Sequence, residues 1–240
     1  MNCGIVITTH NRPYALARSL PLILKLEARV IVVDDGSNEQ CAEEIQSITR
    51  KYNVPLLMVC ENRGLCCALN MGIAYWLADS SIEWISSFND DVDVHPDLLV
   101  IMEKIQDVGV RPLCTGHDAY EHATKIQTNI SGQCVRMKTI CRGVHLHAHR
   151  DYWKGIMPIP TPYLGAPKRN RGLRGQGADE DWWITCWSPN SVVKRGLYVT
   201  CVPGLVRIFL NSAEDSTWGC SLRQESALHT ANNNDNTKVR

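Results

Sequence analysis

Three stretches of this chain concentrate side chains able to hold a metal ion, a phosphate or a proton. Asn89-Asp90-Asp91-Val92-Asp93 places three carboxylates and an amide within five residues. Carboxylate oxygens are the ligands that Mg2+ and Mn2+ prefer, usually one or two of them together with substrate phosphates. Asp34-Asp35-Gly36-Ser37 forms a second polar group and Thr8-Thr9-His10-Asn11-Arg12 a third. Much later, Asp179-Glu180-Asp181 precedes Trp182-Trp183 and adds a further acidic stretch. Each acidic group also has a plainer reading, because carboxylates just ahead of a helix cap its free N–H groups.

The elements around these stretches favour a shared site. Apolar strand-like runs cover residues 3–9, 28–33, 54–60 and 82–88, and the three polar groups stand at the carboxyl ends of the first, second and fourth. Helical spacing covers 13–27, 38–52 and 64–78, and Pro96-Asp97 opens another helix. Continuous apolar strands separated by helices predict an α/β fold, with a mostly parallel, Rossmann-like sheet covered on both faces. Ligands of such sheets gather outside the carboxyl ends of the strands. Thr8-Thr9-His10-Asn11-Arg12-Pro13 follows the first strand where a dinucleotide or P-loop protein would carry its glycine-rich loop. A hydroxyl-rich, phosphate-bearing ligand held partly through a metal fits these side chains better.

The second half is less regular and predicts a smaller region of mixed strands. Residues 111–115 and 125–150 alternate as strands do, and His145, His147 and His149 fall on one face of the last piece. That face is expected to border an acceptor cleft or solvent, with a transition-metal site as the rarer alternative. Residues 158–177 form a Pro- and Gly-rich loop carrying Lys168, Arg169, Arg171 and Arg174. It is read as a solvated loop, a mobile lid or a site for an anionic acceptor, nucleic acid included. A helix is expected from about 177 to 195, then strands over 196–202 and 205–209. Residues 224–240 are too polar to bury a core and are expected to be a disordered tail.

The 240 residues balance 25 basic against 25 acidic side chains, so no global charge draws the chain to nucleic acid or membrane. No run of 18 apolar residues exists, and the start lacks the layout of a secretory signal. The eleven cysteines include no Cys-x-x-Cys pair and lie mostly within apolar runs. Buried free thiols in a reducing, cytoplasmic setting are therefore expected.

In series, Ile5-Val6-Ile7-Thr8-Thr9-His10-Asn11-Arg12, Val32-Val33-Asp34-Asp35-Gly36-Ser37, Glu61-Asn62-Arg63-Gly64-Leu65 with Ala68-Leu69-Asn70-Met71-Gly72, and Asn89-Asp90-Asp91-Val92-Asp93-Val94-His95-Pro96 resemble family 2 glycosyltransferases of the GT-A fold. The resemblance implies a single domain, with 1–102 as its nucleotide-sugar-binding half and 103–223 as its acceptor-binding and catalytic half. It implies inverting, hexosyltransferase-like transfer from a nucleotide diphosphate sugar, with a UDP-sugar the first expectation. The acceptor would be a hydroxyl of a saccharide, protein, small molecule or modified nucleic acid. The same residues in a non-catalytic nucleotide-sugar-binding module are the alternative.

The resemblance also distributes roles. Thr8, Thr9, Asn11, Arg12, Asp35, Arg63, Asn89 and Asp90 would contact the nucleotide sugar. Asp91 would hold Mn2+ or Mg2+, with Asp90 and Asp93 close behind it. Asp181 is the expected general base and Asp179 the runner-up, since the register over Asp-Glu-Asp is open. Glu180, Trp182, His147 and Arg174 are candidates for the acceptor side. Two departures stand out: Asn89 replaces the first Asp of the family's Asp-x-Asp triplet, and the stretch 205–209 lacks a late His, leaving Arg207 to offer charge to the phosphates.

Overall fold

A computed structural model describes residues 1–118, 123–160 and 183–209. The elements run β1 (Cys3–Thr9), α1 (Pro13–Leu24), β2 (Arg29–Asp34), α2 (Glu39–Lys51), β3 (Leu56–Met58), α3 (Leu65–Ala78), β4 (Trp84–Asn89), β5 (Val92–Val94), α4 (Leu98–Ile105) and β6 (Leu113–Thr115). They continue with β7 (Thr124–Ile130), β8 (Gln133–Lys138), β9 (His145–His149), α5 (Arg150–Ile156), β10 (Val199–Cys201) and β11 (Val206–Ile208). One sheet runs β3-β2-β1-β4-β9-β6-β10-β8-β7, and β11 pairs with β5 in a second.

The expected parallel half is present: β3, β2, β1 and β4 are all mutually parallel. The sheet then turns mixed, because β9 runs antiparallel to both β4 and β6 while β10 is parallel to β6. Its two faces carry separate cores. Ile5, Ile7, Val32 and Phe88 pack with Leu16 and Leu20 of α1, Ile45 of α2 and Met102 of α4. Val6, Ile31, Val33 and Ile85 pack with Leu69, Ile73 and Trp76 of α3 and Trp153 of α5. The alternation of β1 feeds both, as a strand covered on two faces must. Gly72 lets α3 lie close on β1, since a Cβ there would come within 2.3 Å of Val6 Cγ1.

Local chemistry sets the boundaries. Asn38 caps α2 by accepting the Cys41 N–H at 3.0 Å, and Glu39, Arg50 and Lys51 complement the helix dipole. β3 is shorter than its apolar run because, as an edge strand, it is paired only over 56–58 with β2. The helix expected to reach residue 195 does not form in the described part. Trp183–Trp187 makes one π-helical turn, and Pro189, which has no N–H to donate, is followed by turns. Cysteines divide: Cys3, Cys66, Cys114, Cys141 and Cys201 are buried as expected, whereas Cys60 and Cys134 are exposed. Among the described residues no helix is long and apolar enough to cross a membrane.

Candidate active site

The register of the parallel strands fixes the site. Thr9 pairs with Asp34 across β1 and β2, and Thr8 with Asn89 across β1 and β4. The three polar stretches therefore emerge side by side at one edge of the sheet. The loop after β1 is knitted to its neighbours through His10, whose Nδ1 lies 2.9 Å from the Asp35 carbonyl and whose Nε2 is 3.0 Å from the amides of both Asn11 and Asn62. Amide N–H groups only donate, so Nε2 accepts and the proton sits on Nδ1. Burial lowers the His10 pKa and keeps the ring neutral. Asn11, at φ 55, donates its backbone N–H to Ser37 Oγ and accepts from Asn38 N at 2.8 Å each.

Gly36 brings the third segment in. At φ +68, and with a Cβ position only 2.3 Å from the Glu61 carbonyl carbon, it admits no side chain. Asp35 then meets the start of α3: Oδ1 accepts from Arg63 N at 3.1 Å, while the buried Oδ2 has no protein partner. Burial pushes the Asp35 carboxyl up to about 6, against the backbone N–H groups of Arg63 and Gly64. Arg63 itself is exposed and pairs with Glu61 at 3.2 Å.

The acidic cluster is divided by burial. Asp90 is fully enclosed, accepting from Thr9 Oγ1 at 2.6 Å and from Arg12 Nη2. Desolvation raises its pKa to about 7, with Arg12 acting in the opposite direction. Asp91, 8% exposed, accepts from Arg12 Nη1 at 3.2 Å through Oδ2 and leaves a buried Oδ1 without a partner. Its carbonyl accepts from Phe209 N at 3.0 Å, so β11 closes over the cluster. Asp93 lies apart and pairs with Arg18 at the surface, 2.7 Å away. Among the described residues no three His, Cys, Asp or Glu side chains form a metal-holding group. One carboxylate with an orphaned oxygen still fits a Mg2+- or Mn2+-type ion whose other ligands are phosphates and water.

Several expectations need correcting. Asp90 does not open toward a ligand, because both its oxygens are engaged and none of its surface is exposed. Of the histidine face, only His149 reaches solvent, and it does so partly. His145 and His147 are fully buried, on the sheet face shared with Phe88 and Cys114. His147 therefore cannot reach an acceptor, and Nδ1 instead meets Ser86 Oγ at 2.6 Å. Arg207 is exposed on β11, in register with Asp93. Asp179, Glu180, Asp181, Trp182 and the basic loop with Lys168, Arg169, Arg171 and Arg174 lie outside the described residues, as does the tail.

Sequence reasoning gave His10, Asn62 and Asn70 no role of their own. Asn70 clamps the Ile159 backbone, donating to its carbonyl at 2.7 Å and accepting its N–H at 2.8 Å. For Asn70 the signal was an amide inside the otherwise apolar Ala68-Leu69-Asn70-Met71, whereas His10 and Asn62 stand among other polar residues. Also unforeseen is buried Asp118, which accepts from Lys138 and Arg136 near the carboxyl end of β6. A separate concavity of about 640 Å³ lies between Leu24, Tyr52, Tyr75 and Trp76 at the opposite edge of the sheet, away from every group described above.

Comparison with known proteins agrees with this fold. The profile of the family described as "Glycosyl transferase family 2" matches residues 4–145, more than half the chain. Comparison with curated proteins returned no match. Among solved structures, the mannosyltransferase PcManGT from Pyrobaculum calidifontis, in complex with GDP-Man and Mn2+, is similar at TM-score 0.57 and 15% identity, over 85% of this chain and 55% of that one. TarS 1-349 from S. aureus with UDP-GlcNAc gives TM-score 0.53 and 15% identity over 90% and 61%. GalNAc-T7 with UDP, GalNAc and Mn2+ gives 0.56 and 13% over 84% and 42%. These likenesses establish the shared fold, and the chain spans roughly half the length of the structures it resembles.

Proposed function

The chain belongs to glycosyl transferase family 2, and from that premise we propose that it moves a sugar from a nucleotide diphosphate sugar, a UDP-sugar first, to an acceptor hydroxyl with inversion. The observation that carries this reading is that Asp35 and Asp91, like the neighbouring Asp34, each leave one buried carboxylate oxygen without a protein partner at one sheet edge. Buried acceptors of this kind are retained where a ligand completes them. The solved structures of similar fold that hold GDP-Man, UDP-GlcNAc or UDP with Mn2+ support the same class of donor.

In this proposal Asp35 Oδ2 accepts a hydrogen bond from the donor's base or ribose. The loop of Thr8, Thr9 and Asn11 shapes the wall beside it, and Arg63 and Asn89 flank the nucleotide. Asp91 Oδ1 is the protein ligand for Mn2+ or Mg2+, which when bound supplies charge neutralisation for the diphosphate leaving group. Asp181, with Asp179 as runner-up, accepts the acceptor hydroxyl's proton as its oxygen bonds to the anomeric carbon and the bond to the β-phosphate oxygen breaks. Glu180, Trp182 and Arg174 complete the acceptor side. The neutral overall charge neither demands nor excludes a nucleic-acid acceptor, for which Lys168, Arg169, Arg171 and Arg174 are the candidate contacts.

The test is a panel of nucleotide sugars with and without Mn2+, scored by release of nucleoside diphosphate. One preferred donor is expected, with Mn2+-stimulated release that Asp91→Asn removes. Metal-independent release that is blind to the donor would overturn the proposal. Asp181→Asn should retain donor binding and lose transfer, which separates an enzyme from a binding module.

A further inference from the structure

Arg12 is placed unlike a nucleotide contact. Its backbone is fixed as the residue before α1, with its carbonyl accepting from Ala15 and Leu16 N–H at 3.1 and 3.2 Å. Its side chain, 4% exposed for the residue as a whole, forks across the cluster, with Nη2 on Asp90 Oδ1 and Nη1 on Asp91 Oδ2. Thr9 Oγ1 takes the remaining oxygen of Asp90. One cation thus faces two adjacent buried carboxylates, and of their four oxygens only Asp91 Oδ1 is left unpartnered.

We infer that Arg12, backed by Asp90, is a positioning residue that presents Asp91 Oδ1 to a divalent cation, rather than a residue that touches the donor. The inference rests on the proposed transferase function and assigns a division of labour within it. A planar guanidinium can hold two carboxylates in one fixed geometry, whereas an ammonium acts as a point charge. The fork sets which oxygen of Asp91 remains open. Asp90 sets how strongly Arg12 holds Asp91, because it takes a share of the same cation. With Asp90 ionised the cluster carries a net −1; without that charge it is neutral, and Arg12 becomes a direct competitor for Asp91.

Two variants test this: Arg12→Lys, which keeps the charge and loses the fork, and Asp90→Asn, which keeps the shape and loses the charge. Mn2+ binding is measured by electron paramagnetic resonance, alone and with UDP, and UDP binding is measured separately by calorimetry in a chelator. Both variants should weaken Mn2+ binding by about tenfold or more, the scale seen when a ligand's supporting partner is removed. Metal-free UDP affinity should stay unchanged in both. Unchanged Mn2+ affinity in either folded variant would overturn the inference. So would an equal loss of metal-free UDP affinity in Arg12→Lys, which would make Arg12 a donor contact. If Arg12→Lys fails to fold by circular dichroism, Asp90→Asn decides, since Thr9 and Arg12 can both still hydrogen-bond its amide. Failure of the unaltered protein to bind Mn2+ and UDP at all would be seen before any variant and would sink the transferase reading itself.

Discussion

Replacing His147 with Gln should remove a defined part of the acid sensitivity of the fold. The ring is fully buried in β9, stacked on Trp84 at 9° and 5.5 Å between centroids, with Nδ1 bonded to Ser86 Oγ. Its described neighbours on that face are Trp84, Ser86, Cys114, His145 and, on the far side of Trp84, the partly exposed His149, none of them a carboxylate. Burial alone pushes its pKa from 6.5 down to about 3. Above pH ~6.5 the ring is neutral in both folded and unfolded chains and adds no pH dependence. Below that, the unfolded chain takes a proton that the fold refuses, so stability falls with pH until the folded pKa is reached. The slope is about 1.4 kcal/mol per pH unit, or about 2.7 kcal/mol between pH ~7.5 and ~4.5. The total acid profile hides this, because Asp35 and Asp90, raised to about 6 and about 7, bind protons more readily in the fold and tilt it the other way. The difference between wild type and His147→Gln reports chiefly this ring, since Gln can still pair with Ser86 and burial is the larger cause that lowers the neighbouring His145. Urea midpoints by circular dichroism at the two pH values should show the variant gaining about 2.7 kcal/mol on wild type as pH falls. A gap that stays constant would refute the reasoning.

Two neighbouring substitutions should separate site geometry from fold stability. Gly36→Ala must place a Cβ against the Glu61–Asn62 backbone in a left-handed conformation, so the loop should shift. Thermal melts should show a loss of about 1–3 kcal/mol, and calorimetry a weaker metal-free affinity for UDP as Asp35 moves. Asn38→Ala removes only the α2 cap, so it should lower stability by about 1 kcal/mol and leave UDP affinity as it was.

That contrast also marks what the sequence could carry. Strand ends, helix caps and the order of four motifs are local or periodic features, and they were legible because each leaves its own short pattern. The continuous apolar run of 28–33 announced a strand buried on two faces, and Asn38 announced a helix start. The histidine face was misread because alternation reports which residues share a face and not what covers that face. Alternation predicts a strand bordering a cleft or solvent, yet β9 lies inside the sheet between β4 and β6, beneath the α1 and α4 side of the core, with only His149 partly exposed. The acidic cluster failed more instructively. The resemblance singles out Asp91 as the metal's ligand, but the closing-off of Asp90 is not legible, because its burial is set by Thr9 and Arg12, about eighty residues upstream. A cluster of like charges in sequence reads as one ligand set. In the fold, one remote cation turns it into an engaged carboxylate and an open one, and only the parallel pairing of β1 with β4 puts that cation there.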